Sequence, residues 1–490
     1  MKDGEFLLLD QNSTPLFQSV KKHVLRNAIP LQIPGHKHGH GLEEYKDFVG
    51  ENVLRMDLNQ TRGIDLVWDP TAVITEAEML LADVFQAGTA FFLINGTTSG
   101  VQAMIMSTCK PGDRIILPRN VHKSVFNALI LSGAEPVYVQ PEISSDLGIV
   151  VSVTPDNMEK AMADNPEAKA VLAINPSYYG VTANLAAITA SAHQRHMPVL
   201  ADEAHGTHMH FHEGFPASAM QAGADLSAVS LHKTGGSLTQ SSALLLSKTS
   251  DIDPQYVKQV LSLAYTTSPS YVLLCSLDVA RKQLATKGEG ILDNLLEMLH
   301  WTRGEINKID GLFAADKDYF ARIGQFGFDD TKLLVNVRRI GLTGYEVEKQ
   351  LALEHNILVE LADMYNILAI TGLGEQREYL AAFISALREI AGQARKNEIK
   401  KLDVVQFAPE IVMQPREAFY CAKRSLPLEQ CAGEIAGEMI MVYPPGIPLV
   451  SMGEVITEDI IEYVKLLKQE QCTLQGTADP CVGNIMVLDV

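Results

Sequence analysis

Residues 226–236 read LSAVSLHKTGG. Six residues suited to a buried strand run straight into a histidine, a lysine and a glycine turn. Lysine is seldom fully buried unless it is paired or chemically used, so Lys233 at the end of an apolar run raises the question of its neighbours. The run has company: AFFLI (90–94), RIILP (114–118), PVYVQ (136–140), AVLAI (170–174) and PVLAD (198–202) are also rich in β-formers. The stretches 99–109, 122–133, 155–164 and 185–196 between them are long enough for crossover helices. Apolar strands alternating with helices predict an α/β fold around a mostly parallel sheet buried on both faces.

At 490 residues the chain is too long for one hydrophobic core. Shifts in pattern divide it into an N-terminal segment (1–75), a large domain (76–310), a small α/β domain (311–395) and a C-terminal domain (396–490). The end of the large domain, 251–310, reads as helical. The polar stretch RKNEIKKLD (395–403) reads as a linker. A hydrophobic fraction of 47% and a charged fraction of 20% suit an ordinary soluble globular protein. No apolar run approaches the roughly 18 residues that span a membrane, and the start, MKDGEFLLLDQNS, lacks a secretory core. The six cysteines form no CxxC pair, which predicts reduced thiols and a cytoplasmic protein. A net charge of −19 without a basic stripe argues against nucleic acid and is compatible with a cationic substrate.

In a parallel α/β sheet, ligands bind beyond the carboxyl ends of the strands. After AFFLI comes NGTTSG (95–100), two glycines and three hydroxyls opening a helix, which is the make-up of an anion cradle. After RIILP comes RNVHKS with His122, and after AVLAI comes NPSYYG. After PVLAD comes EAHGTH, where Asp202 closes the strand and His205 follows. After LSAVSL come His232 and Lys233. All five motifs are expected on one sheet edge.

A lysine that forms a Schiff base, a phosphate cradle and a strand-end carboxylate are together what pyridoxal 5'-phosphate (PLP) requires. The carboxylate keeps the pyridine nitrogen protonated so that the ring can accept electrons. On this reading Lys233 is buried because it is chemically used. The run HGTHMHFH offers a rival: His208, His210 and His212 would share one face of a strand and could hold zinc. No HExxH or other spaced further ligand accompanies them, and a metal leaves Lys233 and NGTTSG without a role. The expectation is therefore no metal.

These residues resemble the fold-type-I, PLP-dependent ornithine/lysine/arginine decarboxylases. IPGHKHG (33–39), NGTTSG, PRNVHKS, NPSYYG, ADEAHGTH, SLHKTGGSLTQSS, TTSPSYVLLCSLDVAR and YPPGIPL…GE are similar to the family's signatures, in its order, from about residue 30 to 455. The resemblance implies an aspartate-aminotransferase-like large domain with smaller α+β C-terminal domains, in the shorter bacterial form without an extra N-terminal domain. It implies that Lys233 carries PLP and that Thr97, Thr98, Ser99, Ser230 and His232 grip its phosphate. His122 would stack on the ring, Asp202 would pair with its nitrogen, and His205 would lie beside the lysine and the substrate carboxylate.

The segment TTSPS (266–270) resembles one that reaches the phosphate of a neighbouring subunit. Thr267 and Ser268 are then donated across a homodimer with shared sites, which could assemble further. Glu454 resembles a carboxylate near the distal end of a cationic substrate. The expected reaction is decarboxylation of a basic amino acid, first arginine to agmatine for polyamine biosynthesis, then lysine or ornithine. An aminotransferase or lyase with the same lysine, aspartate and phosphate set is the alternative class. The segment NQTRGIDLVWDP (59–70) follows the family pattern only loosely.

Overall fold

The computed structural model describes residues 9–59, 64, 70, 72–394, 399, 405–442, 447–470 and 472–490. Most of the segment 59–70, most of the linker 395–403 and the proline-rich loop at 443–446 lie outside the described residues. The chain forms two compact units, residues 1–107 with 201–293 and residues 108–200 with 294–490. Each unit joins two separate stretches of chain, whereas pattern shifts along the sequence suggest four consecutive segments.

The principal strands are β1 (Thr89–Leu93), β2 (Arg114–Pro118), β3 (Glu135–Val139), β4 (Ala170–Ile174), β5 (Val199–Glu203), β6 (Leu226–Val229) and β7 (Ser242–Leu246). Six of them fall within a residue or two of the predicted runs. The seventh, β7, was not among the predictions. Its SALLL follows the lysine turn too closely for a crossover helix, so it returns antiparallel.

In the first unit the order is β1-β7-β6-β5. Strand β7 runs antiparallel to both β1 and β6, with Leu93 opposite Ser242 and Val229 opposite Ala243. The carboxyl ends of β1 and β6 therefore flank the start of β7. Every residue of β5, β6 and β7 is buried, as expected for strands covered on both faces. The second unit carries β4-β2-β3, parallel throughout, with Val171 N–H bonded to Pro198 O at the approach to β5. The sheet is thus mixed but mostly parallel.

Two helices position the strand ends. α1 (Gly96–Thr108) follows β1, and α2 (Lys123–Ser132) follows β2. Gly96 holds φ +67°, which L side chains rarely adopt. A Cβ on Gly100 would stand 2.8 Å from Leu93 Cδ1 and 3.2 Å from Ala228 Cβ, so only glycine lets α1 lie this close to its sheet. A single turn, α3 (Leu231–Thr234), follows β6. Then come α4 (Pro254–Ala264), capped by Asp253 accepting from Gln255 N–H, and the long α5 (Tyr271–Ile306). The first unit's core gathers Phe85, Phe92, Ile94, Val229, Leu245, Tyr271 and Leu274 with Leu16 and Val20 of the N-terminal helix Pro15–Leu25.

In the second unit a further antiparallel sheet has β8 (Phe313–Ala314), β9 (Lys332–Asn336), β10 (Leu361–Ala362) and β11 (Asn366–Ile370) in the order β8-β9-β11-β10. It is packed by α6 (Gly344–Glu354) and α7 (Arg377–Gln393) through Val347, Leu351, Phe383 and Leu387. A separate cluster, including Ile440, Val450, Ile460, Val464 and Val487, forms the core of residues 428–488. Among the described residues no helix is long and apolar enough to cross a membrane.

Candidate active site

In the first unit the chain folds so that three strand ends present chemistry together. β6 stops at Val229; Ser230 caps the turn α3, burying Leu231 and Thr234 and leaving Lys233 exposed. The sequence reading had the strand running to Leu231 and the lysine buried. The correction has a plain cause: one helical turn, Leu231–Thr234, carries Lys233 off the buried strand. Lys233 Nζ lies 2.9 Å from His205 Nε2.

His205 comes from the turn after β5 and is buried, as is Asp202 in that strand. Asp202 Oδ1 accepts from Ala204 N–H at 3.2 Å, a bond that fixes the carboxylate at the mouth of the strand. The neighbouring Glu203 points elsewhere: its oxygens accept from Ala219 N–H and Ser227 Oγ–H at 2.7 and 2.8 Å. Two adjacent carboxylates on one strand face opposite ways, and Glu203 is spent inside the fold.

Thr97 Oγ1 and Ser230 Oγ are 3.0 Å apart, so the start of α1 and the end of β6 meet through their hydroxyls. Ser99 is buried and donates to Gly96 O at 2.9 Å; Thr98 is exposed. His232 is turned toward Ser241, its Nδ1 2.9 Å from the carbonyl oxygen, and burial lowers its pKa below the ordinary imidazole value. The structure thus brings together Lys233 with His205 and Thr97 with Ser230. Thr267 and Ser268 are exposed between α4 and α5.

The histidine run is not a strand. Residues Thr207–Phe211 form a 3₁₀ turn, and the alternation that suggested a shared face does not arise. His210 packs on Phe85 with ring centroids 5.1 Å apart and its Nδ1 lies 2.9 Å from Ser218 Oγ; His208 packs on Phe215.

The remaining two predicted site residues belong to the second unit. His122 is the N-cap of α2: its Nδ1 accepts from Ser124 N–H and lies 2.8 Å from Ser124 Oγ. Glu454 is 1% exposed and forms a bidentate ion pair with Arg119, itself 3% exposed. Arg119 Nη2 donates to Glu454 Oε2 at 2.7 Å, Nη1 bonds Oε1, and Ser451 N–H donates to Oε2 at 2.7 Å. The guanidinium stacks 4.5 Å from the centre of the Tyr138 ring. Burial opposes the arginine's charge, but the Glu454 bonds outweigh it and raise its pKa. Any substrate cation reaching Glu454 has to compete with Arg119. Sequence reasoning passed over Arg119, although a charged residue directly after β2, inside PRNVHKS, was a signal.

The hydroxyls at the start of α1, Ser230, the amine of Lys233 and the carboxylate of Asp202 are the donor set that an aldehyde-bearing phosphate ester with a basic ring nitrogen requires. Residues 14–323 match the family model described as Orn/Lys/Arg decarboxylase, major domain, and residues 398–483 match that of the same family's C-terminal domain. The chain is 42% identical over 484 residues to a Bacillus subtilis protein named arginine decarboxylase, covering 98% of this chain and 99% of that one. A Bacillus anthracis protein of the same name is also 42% identical over 484 residues, covering 98% of each. The solved structure of the Francisella novicida lysine decarboxylase LdcF superposes with a TM-score of 0.83 at 21% identity, covering 97% of this chain and 81% of that one.

Proposed function

Because the chain belongs to the Orn/Lys/Arg decarboxylase family, we propose that it is a PLP-dependent decarboxylase that converts L-arginine to agmatine and carbon dioxide. The observation that carries this reading is the contact of Lys233 Nζ with His205 Nε2 beside the Thr97–Ser230 hydroxyl pair. The choice of arginine is supported by the full-length relatives that carry that name.

When bound, PLP supplies an electron sink for the carbon that loses carbon dioxide. The chain's residues do the rest. Lys233 offers the amine by which the cofactor is held, and His205 orients that amine. Thr97, Thr98, Ser99, Ser230 and His232 hold the phosphate. Asp202 retains the proton on the ring nitrogen, and His122 covers the ring face. Either Lys233 or His205 returns a proton to the substrate Cα after carbon dioxide has left. Glu454 faces the substrate's distal cation.

Thr267 and Ser268 are offered to the site of a second copy, making the active unit a homodimer with shared sites. Six free cysteines support a cytoplasmic enzyme, and the amine product fits polyamine biosynthesis. The test is a panel of arginine, lysine and ornithine supplied with PLP, reading carbon dioxide and amine. Agmatine formed without a keto-acid co-substrate is expected. Turnover of lysine or ornithine in preference would reassign the substrate, and keto-acid-dependent amine transfer would overturn the class.

A further inference from the structure

The two hydroxyl segments of the first unit, 97–99 and 266–268, are far apart in sequence but are tied to the same strand. β1 stands at the edge of its sheet, and an edge strand leaves outward N–H and C=O groups in need of partners. At Phe92 two side chains satisfy them. The N–H donates to Glu78 Oε1 at 2.9 Å, and the carbonyl accepts from Tyr265 Oη–H at 2.8 Å. Burial, then the charge of Glu78, holds the Tyr265 phenol well above its ordinary pKa, so the residue stays a donor.

Three residues on, Asn95 Nδ2 donates to Ala264 O at 3.0 Å, while Gly96 N–H donates to Gln240 O at 2.8 Å. Ala264 and Tyr265 end α4 immediately before the exposed hydroxyls of Thr266, Thr267 and Ser268. Phe92 and Asn95 lead directly into the start of α1. The end of β1 is thus bonded twice to the root of the exposed loop.

We propose that Tyr265 and Asn95 are positioning residues that couple the chain's own phosphate cradle to the loop it offers a second copy, so that the two cofactor sites of the dimer fill cooperatively. This rests on the shared-site reading above. Ordering the start of α1 around a phosphate in one site pulls on Phe92 and Asn95, and through Tyr265 and Ala264 on the loop that completes the other site. The coupling needs no movement between domains, only two hydrogen bonds that transmit order from one end of β1.

Stripped enzyme is titrated with PLP, following absorbance of the bound cofactor, with the dimer verified by sedimentation. The wild-type curve is expected to be sigmoidal, with a Hill coefficient above one. Tyr265→Phe, which keeps the ring, and Asn95→Ala, which leaves the ring untouched, are each expected to lower the coefficient toward one. Each should also weaken binding about fivefold, the worth of one hydrogen bond. A hyperbolic wild-type curve, or unchanged coefficients in both variants, overturns the coupling. Thr267→Ala with Ser268→Ala separates the two claims. If that double variant binds PLP as wild type does, the shared-site reading falls and the coupling with it. If it binds weakly while Tyr265→Phe and Asn95→Ala stay as cooperative as wild type, only the coupling falls.

Discussion

Lys233 and Arg119 are cations set just past the ends of two strands, one in each compact unit, and their surroundings are opposites. Lys233 is exposed, and its amine lies 2.9 Å from Nε2 of the His205 imidazole. Arg119 is buried, and both arms of its guanidinium are closed on a carboxylate, with an aromatic ring beneath. A primary ammonium can shed its proton and become a nucleophile. A guanidinium in a bidentate pair cannot. Strand-end position by itself does not make a residue reactive; the partner decides.

The largest effect that tests this contrast is at Lys233. Lys233→Ala is expected to lower kcat by at least about 10⁴-fold, since on the proposed function the amine that anchors the cofactor is lost. Borohydride reduction of the wild type in PLP should fix the cofactor's mass on the peptide containing Lys233. A label on another lysine, or near-normal turnover in the variant, would end the assignment.

The pair in the second unit should answer differently. Removing one partner of a buried ion pair strands the other charge and costs about 3–5 kcal/mol, whereas replacing both by apolar residues is often near neutral. Arg119→Met and Glu454→Leu should each lower the midpoint of thermal unfolding, and the double variant should recover much of the loss. Single variants as stable as wild type would mean the pair contributes nothing. A Glu454→Gln increase in KM for arginine that Arg119→Met does not reproduce would give Glu454 the substrate contact expected from the family resemblance.

The smallest effect concerns pH. His210 and His232 both have pKa values lowered by burial. The folded state therefore holds fewer protons than the unfolded chain, whose imidazoles titrate near 6.5. Their penalty is absent above that pH and grows as pH falls through it. Unfolding midpoints should decline between pH 7.5 and 5.5, and His210→Phe should flatten the decline. A slope unchanged by that substitution would place its source elsewhere.

Local pattern carried much of the fold. The apolar runs of β2 and β4 needed no tertiary information to be placed at Arg114–Pro118 and Ala170–Ile174, because a strand buried on both faces announces itself in consecutive side chains. Strand β7 was missed for the complementary reason. Its burial resembles that of its neighbours, but its direction depends on the length of the preceding turn and on the gap between β1 and β6 that it fills.

The motifs NGTTSG, ADEAHGTH and SLHKTGG, and with them the candidacy of Lys233, Asp202 and Thr97, were legible in the sequence by itself, since candidate chemistry at strand ends is written in short contiguous stretches. The exposure of Lys233, the 3₁₀ turn beneath His208 and His210, and the meeting of Thr97 with Ser230 needed the folded chain. So did the pairing of Arg119 with Glu454 across 335 residues. Periodicity reports which face of an element is buried. Which distant residue lies against that face is set by loop closure and packing, and only the tertiary structure decides it.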